Sequence, residues 1–273
     1  MKLNARTAIV TGAGQGIGRA IAHALASEGL QVCVSDIDPQ SAAKVAQEVG
    51  GVASVCDVRK PDEIERLVKQ ARDEMGEIDM LVSNAGFAKG AFDGPAAAPD
   101  QQWQDSWDVH VMAHLRAARL LLPEMLERGE GWLVNVASAA GLISQIGDAP
   151  YSATKHAAVS LAQSLAIEHG DQGIHASVVC PLYVATPLLG YADEAPEDQR
   201  PHDRVLGADD VAKALLDGLK EGRFLILPHQ EAALFAQRRA EDMDRWIASM
   251  RRLRRQAFDG TNPGSLADLH KLL

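Results

Sequence analysis

Thr11-Gly12-Ala13-Gly14-Gln15-Gly16-Ile17-Gly18 decides how this chain is read. The apolar run Ala8-Ile9-Val10 leads into it, and Ile17, Ile21, Ala24 and Leu25 recur behind it at helical spacing. An apolar run, a glycine cluster and a helical period make strand, loop and helix. Glycines let a backbone approach a ligand closely, and a helix N-terminus presents N–H groups and positive dipole to an anion. A glycine cluster alone is an ordinary turn. Between a strand and a helix it is the setting of a dinucleotide phosphate loop.

The next strand agrees. Val32-Cys33-Val34-Ser35 ends at Asp36, about 20 residues past the glycines, where an acid binds ribose hydroxyls. An acid there repels a 2′-phosphate, and Ile37 and Asp38 supply no cation, so NAD is expected over NADP. Farther along, strands are predicted near 7–11, 31–36, 52–56, 79–84, 131–137, 174–180 and 223–227. Helices are predicted near 16–29, 39–49, 61–75, 100–128, 151–169, 208–221 and 230–257. This alternation predicts the α/β class: a single doubly wound Rossmann-type domain with a mainly parallel seven-stranded sheet. Such sheets bind ligands at the carboxyl ends of their strands. Gly12, Asp36, Asp57, Asn84, Ser138 and Pro181 all fall at or just past predicted strand ends.

Tyr151-Ser152-Ala153-Thr154-Lys155 carries the chemistry. The i, i+4 spacing puts Tyr151 and Lys155 on one helix face. A free tyrosine titrates near ~10. A cation about 6 Å away at an effective dielectric of about 20 is worth roughly 3 kcal/mol, or about two pKa units. That makes the phenol a usable general acid/base.

With these regions joined, the chain resembles the short-chain dehydrogenase/reductase family over roughly residues 2–228. Thr11 to Gly18 resembles its TGxxxGxG loop, which implies cofactor contacts for Gly12, Gln15, Gly16, Ile17 and Gly18. Asp57-Val58 resembles its adenine-contacting pair, and Asn84-Ala85-Gly86 its NAG strand end. Ser138 closes Leu133-Val134-Asn135-Val136-Ala137 as the family's catalytic serine does, and Tyr151 and Lys155 fit YxxxK. Pro181 and Thr186 match the outer positions of PGxxxT, which with Val184 implies nicotinamide contacts. The resemblance implies hydride transfer between a secondary alcohol and NAD. Tyr151 moves the hydroxyl proton, Ser138 holds the substrate oxygen, and Lys155 lowers the Tyr151 pKa and holds ribose hydroxyls.

Two positions depart from the pattern. His110 stands where the family has an asparagine that helps hold a proton-relay water. Histidine can donate and accept, so His110 is either a relay residue or a helix histidine satisfied locally. Leu182 stands where the family has glycine, adding bulk and restricting the backbone.

At 273 residues with 47% hydrophobic content, the chain suits one large domain with a sizeable core. A net charge of −10 argues against a nucleic-acid partner. Cys33, Cys56 and Cys180 lie at predicted strands without metal spacing, which fits reduced thiols in a cytoplasmic protein. His110 and His114 are spaced i, i+4, but no third ligand is evident, and no metal is expected. Met1-Lys2-Leu3-Asn4-Ala5-Arg6 shows no long apolar run, and no stretch approaches the roughly 20 apolar residues of a membrane helix.

Residues 1–228 are expected to form the dehydrogenase domain, including a substrate lid near 187–207, and 229–273 a helical extension of the same domain. In that extension Met243, Trp246, Met250, Leu253 and Ala257 make a narrow seam beside many arginines. It suits contact with another subunit of a homodimer or homotetramer, the rival being a helix packed on its own domain with solvated arginines, and a membrane surface suits it least. Phe87, Ala88, Ala139, Ala140, Leu142, Ile143, Gln145, Ile146 and Leu182 are expected to face the substrate. The set lacks an obvious cation, which suggests a small hydrophobic alcohol or ketone. The rival readings are a reductase of carrier-bound 3-oxoacyl groups and a catalytically inactive nucleotide-binding scaffold.

Overall fold

The computed structural model describes residues 3–192, 204–258 and 270. Its strands are β1 (Thr7–Thr11), β2 (Gln31–Asp36), β3 (Val52–Val55), β4 (Met80–Ser83), β5 (Gly131–Val136), β6 (Ile174–Val179) and β7 (Leu225–Ile226). They form one sheet in the order β3-β2-β1-β4-β5-β6-β7, with every neighbouring pair parallel. The chain therefore winds outward from β1 in one direction and from β4 in the other. The crevice between the carboxyl ends of these two strands is the topological switch point, where such sheets bind ligands.

Side chains alternate across a strand, and a parallel sheet is covered on both faces, so its strands read as continuous apolar runs. Val10 faces one core with Ile21 and Leu25 of α1 (Gly16–Ser27) and Leu215 and Leu219 of α8 (Ala208–Lys220). Ile9 faces the other, with Ile64 and Leu67 of α3 (Pro61–Met75) and Leu121 and Met125 of α5 (Ala113–Arg128). Truncating one of these fully buried leucines to alanine costs about 2–5 kcal/mol. Both faces are closed, so the open end of the sheet is left for the site.

Local signals place the helix starts. Asp38 caps α2 (Pro39–Val49), accepting from the Gln40 and Ser41 N–H groups at 3.1 and 3.4 Å, with Pro39 in the first turn. That leaves Asp36 outside the capping role. The predicted helix 100–128 is interrupted: α4 (Asp100–Trp107) and α5 are joined by one π-helical stretch, Asp108–Met112, which contains His110. The predicted helix 230–257 is two helices, α9 (Gln230–Glu241) and α10 (Met243–Ala257). Asp242 breaks it, extended at φ −154°, because its carboxylate caps α10 by accepting from the Arg245 N–H at 2.9 Å. A short helix, α6 (Ala140–Ile143), was not evident from periodicity and follows β5 directly.

The end of α10 packs on its own chain. Ala257 and Phe258 meet Ala88, Phe92, Ile146 and Leu189, and Arg254 donates to the Phe92 carbonyl oxygen at 3.2 Å. Of the predicted lid, residues 193–203 lie outside the described residues, as do 259–269 and 271–273 of the extension. Among the described residues no helix is long and apolar enough to cross a membrane, and no group of three or more His, Cys, Asp or Glu side chains could hold a metal ion.

Candidate active site

A cleft of about 420 Å³ opens over the switch point. One end is built from the glycine loop. Gly12 has φ +60°, and a Cβ there would lie 2.7 Å from Ala85 Cα, so both backbone angle and close approach require glycine. A Cβ on Gly18 would overlap the Gly12 carbonyl oxygen and Asn84 Nδ2. Asn84 explains that crowding: its Nδ2 donates to the Thr11 and Gly12 carbonyl oxygens, both at 2.9 Å. The strand end at β4 thus holds the turn at β1, and the Gln15 side chain leaves the start of α1 without a cap of its own.

Asp36 closes this end. Its Oδ2 accepts from the Gly14 N–H at 2.9 Å and its Oδ1 from the Asp38 N–H at 3.1 Å, so the carboxylate is fixed in place. The cations lining the cleft are Arg59, Lys89 and Lys155. Arg59 is held by Asp57, through Nε to Oδ1 at 2.9 Å and Nη2 to Oδ2 at 2.7 Å. That pairing holds the Asp57 carboxyl below the usual carboxylate range. A helix N-terminus behind close-packed glycines and an oriented acid fit the pyrophosphate and ribose of a dinucleotide. Gln15, Gly16, Ile17, Val58, Ala85 and Gly86 line the same cleft.

The other end is set by α7 (Ala149–His169), which starts two residues earlier than its apolar pattern suggested. Asp148 caps it, accepting from the Tyr151 N–H at 3.1 Å through Oδ1 and from the Gly90 N–H at 2.9 Å through Oδ2. The first turn of α7 is thereby tied to the loop that carries Phe87 and Ala88. Lys155, one turn on, is buried and donates to the Val136 carbonyl oxygen at 2.9 Å. Ser138 sits two residues past β5, accepts from the Ala140 N–H at 3.1 Å and donates to the Pro181 carbonyl oxygen at 3.4 Å.

The electrostatics depart from the expectation drawn from spacing. Burial pushes the Tyr151 phenol up to about 12, opposed by the Ser138 hydroxyl and reinforced by the Asp148 charge. Burial pulls the Lys155 ammonium down to about 8. Desolvation disfavours the charged form of each, and here it outweighs their mutual effect. In the free protein at neutral pH the pair is a phenol beside an ammonium.

His110 lies between two rings, 5.2 Å from Phe87 and 5.4 Å from Tyr151, the latter edge-on. Its Nε2 accepts from the Phe87 N–H at 3.2 Å, so the ring proton is on Nδ1, which donates to Thr154 Oγ1 at 2.8 Å. Thr154 Oγ1 donates onward to the Pro150 carbonyl oxygen at 2.8 Å. Burial, first, and Lys155, second, hold the imidazole well below its usual pKa, so it is neutral. Both nitrogens are committed to protein groups. The position that resembles a water-holding asparagine here joins the Phe87 loop to α7.

Pro181, Leu182, Val184 and Thr186 line the cleft opposite Tyr151. Leu182 brings no strain: Ser144 is the non-glycine residue at positive φ among the described residues. Of the residues expected to face the substrate, Phe87, Ala88, Gln145 and Leu182 line the cleft. Ala139 and Ala140 are buried beneath it, while Ile143 and Ile146 line a separate groove against α10. Tyr183, Leu188 and Leu189 also line the cleft. So does one unforeseen cation, Lys89, whose Nζ lies 3.7 Å from Asp105 and 5.4 Å from the Phe87 ring centre. Its place two residues after Phe87 was the available signal.

Comparison with known proteins matches residues 6–197 to the model of the short chain dehydrogenase family. The chain is 31% identical to 1-deoxy-11-beta-hydroxypentalenate dehydrogenase of Streptomyces exfoliatus, over 91% of this chain and 92% of that one. It is 34% identical to cyclohexanol dehydrogenase of Acinetobacter sp. (strain SE19), over 71% and 79%. Among solved structures, a short chain dehydrogenase/reductase from Burkholderia phymatum in complex with NAD superposes with a TM-score of 0.78 at 28% identity, covering 89% of this chain and 96% of that one.

Proposed function

The chain belongs to the short-chain dehydrogenase family, and from that premise we propose that it interconverts a hydrophobic secondary alcohol and its ketone with NAD. The observation that carries this reading is the convergence of Ser138, Tyr151 and Lys155 in one cleft whose far end is closed by Asp36. NAD, when bound, accepts or returns the hydride.

The rest is the work of this chain's own side chains. Ser138 Oγ donates to the substrate oxygen and sets it beside Tyr151. Tyr151 Oη takes the hydroxyl proton in the oxidative direction and returns it in the reductive one. Lys155 Nζ has donors beyond the one given to Val136 and holds ribose hydroxyls. Its charge opposes the burial that keeps Tyr151 protonated. Asp36 accepts from the adenosine ribose and repels a 2′-phosphate. Asp57, Val58, Asn84 and the Pro181–Thr186 segment wall the remainder of the cofactor. His110 acts here as a positioning residue.

Phe87, Leu182, Leu188 and Leu189 give the substrate end an apolar lining. Two relatives are named for hydroxyl-bearing substrates, hydroxypentalenate and cyclohexanol. A cyclic, largely apolar secondary alcohol is the class that fits. Assembly into a homodimer or homotetramer belongs to the same proposal.

The test is a panel of cyclic secondary alcohols with NAD, run beside 3-oxoacyl thioesters with NADPH. Turnover of the alcohols supports the reading. Turnover confined to the thioesters replaces it with the carrier-linked reductase.

A further inference from the structure

His229 joins three segments of chain that are far apart in sequence. It follows β7 and stands at the start of α9, and its side chain is buried. Its Nδ1 accepts from the Leu182 N–H at 3.1 Å. A backbone N–H only donates, so Nδ1 is bare and the ring proton is on Nε2. That N–H is shared between the carbonyl oxygens of Tyr183 and Arg204, each at 3.1 Å.

Leu182 and Tyr183 belong to the segment that leaves β6 and lines the cleft opposite Tyr151. Arg204 lies in the stretch that leads into α8. The two segments also pair directly: Val184 bridges Leu206, and the Ala185 N–H donates to the Leu206 carbonyl oxygen at 2.9 Å. One imidazole thus fixes both peptide groups of the cleft wall, at the position where the family pattern has glycine and this chain has leucine. Burial holds the ring below its usual pKa although Glu231 and Asp210 pull the other way. The neutral form is the one the geometry needs, because an imidazolium would set an Nδ1 proton against the Leu182 N–H.

We propose that His229 is a positioning residue that sets the cofactor-facing wall of the cleft by holding the Leu182 and Tyr183 peptides. The proposal rests on the reading of the cleft as a dinucleotide site. Three variants separate hydrogen bonding from bulk. Glutamine at 229 can accept at Oε1 and donate at Nε2. Leucine fills the volume with neither. Asparagine is polar but too short to span the same groups.

The readouts are NADH affinity by fluorescence titration, the KM for NAD and kcat, with folding followed by circular dichroism. His229→Leu is expected to weaken NADH binding and raise the KM for NAD by about tenfold, with kcat changed less than about threefold. His229→Gln is expected to restore both to within about threefold of the parent, with His229→Asn between them. If His229→Leu does not fold, the order of Gln over Asn in NADH affinity makes the same test. The proposal is overturned if folded His229→Leu binds NADH as tightly as the parent, or if Gln is no better than Leu or Asn. A parent protein that binds NADH but oxidises no alcohol would overturn the substrate reading alone, since the affinity series needs no substrate.

Discussion

Lys155 Nζ lies 5.5 Å from the centre of the Tyr151 ring while donating to the Val136 carbonyl oxygen at 2.9 Å. The lysine is therefore anchored to the sheet and faces the phenol from below, with burial acting on both. The two groups are pushed toward neutrality from opposite sides, up to about 12 for Tyr151 and down to about 8 for Lys155. The free enzyme is poised to donate a proton. Removing one from an alcohol needs added positive charge in the cleft.

Lys155 has a signed effect on stability. Its folded pKa is below the ordinary lysine value, so between about 8 and about 10.5 the unfolded chain holds a proton that the folded chain does not. Folding is penalised below that window and the penalty is relieved as pH rises through it. Lys155→Met is expected to be more stable than the parent near pH 7 by about 1–3 kcal/mol, with the difference shrinking toward pH 10. Urea melts of both proteins across that range measure it, and a difference constant with pH contradicts it. The variant is expected to be inactive.

The role proposed for Asp36 is the choice of cofactor. Asp36→Ser with Ile37→Arg removes the ribose acceptor and supplies a cation for a 2′-phosphate. The kcat/KM for NAD is expected to fall about tenfold or more while that for NADP rises. Unchanged preference in steady-state kinetics with both cofactors contradicts the role given to Asp36.

His110 binds two protein groups, one through each ring nitrogen. His110→Ala leaves the Phe87 N–H without its acceptor and opens a void, at a cost of about 2–4 kcal/mol. Turnover is expected to fall without any change in the shape of the pH–rate profile. A limb that moves, or vanishes, in His110→Ala would return His110 to proton transfer.

Asp148 acts on Tyr151 through charge and through the helix cap. Asp148→Asn removes a negative charge that raises the phenol pKa, so the rising limb of alcohol oxidation is expected to move to lower pH. Asp148→Ala also removes the cap and costs about 1–2 kcal/mol in thermal or urea unfolding. A limb displaced upward in Asp148→Asn contradicts the assignment.

Much of the fold was legible because its signals are local. Asp38-Pro39 and Pro61 mark helix starts within a few residues, and β1 and β2 announce themselves as apolar runs that end in a glycine loop and an acid. The motif residues fall around one cleft because parallel strands align their carboxyl ends. What was not legible depends on contacts across the chain. The cap at Asp242 looks like one more polar residue until the helix direction changes there. The π-helical stretch at His110 forms where Phe87 and Thr154 reach it from other segments. The direction of the Tyr151 shift follows burial, which i, i+4 spacing does not encode. His229 is 47 residues from Leu182, and nothing in either neighbourhood points to the other.

The central claim is that the Tyr151 hydroxyl moves the proton in NAD-linked chemistry on a secondary alcohol. Its most direct test is the initial rate of NADH formation from a reactive cyclic alcohol by the parent and by Tyr151→Phe, with NADH affinity measured on both. The account predicts a rate lost by at least about a thousandfold and NADH affinity within about threefold of the parent. A Tyr151→Phe protein that binds NADH and keeps its rate would contradict it.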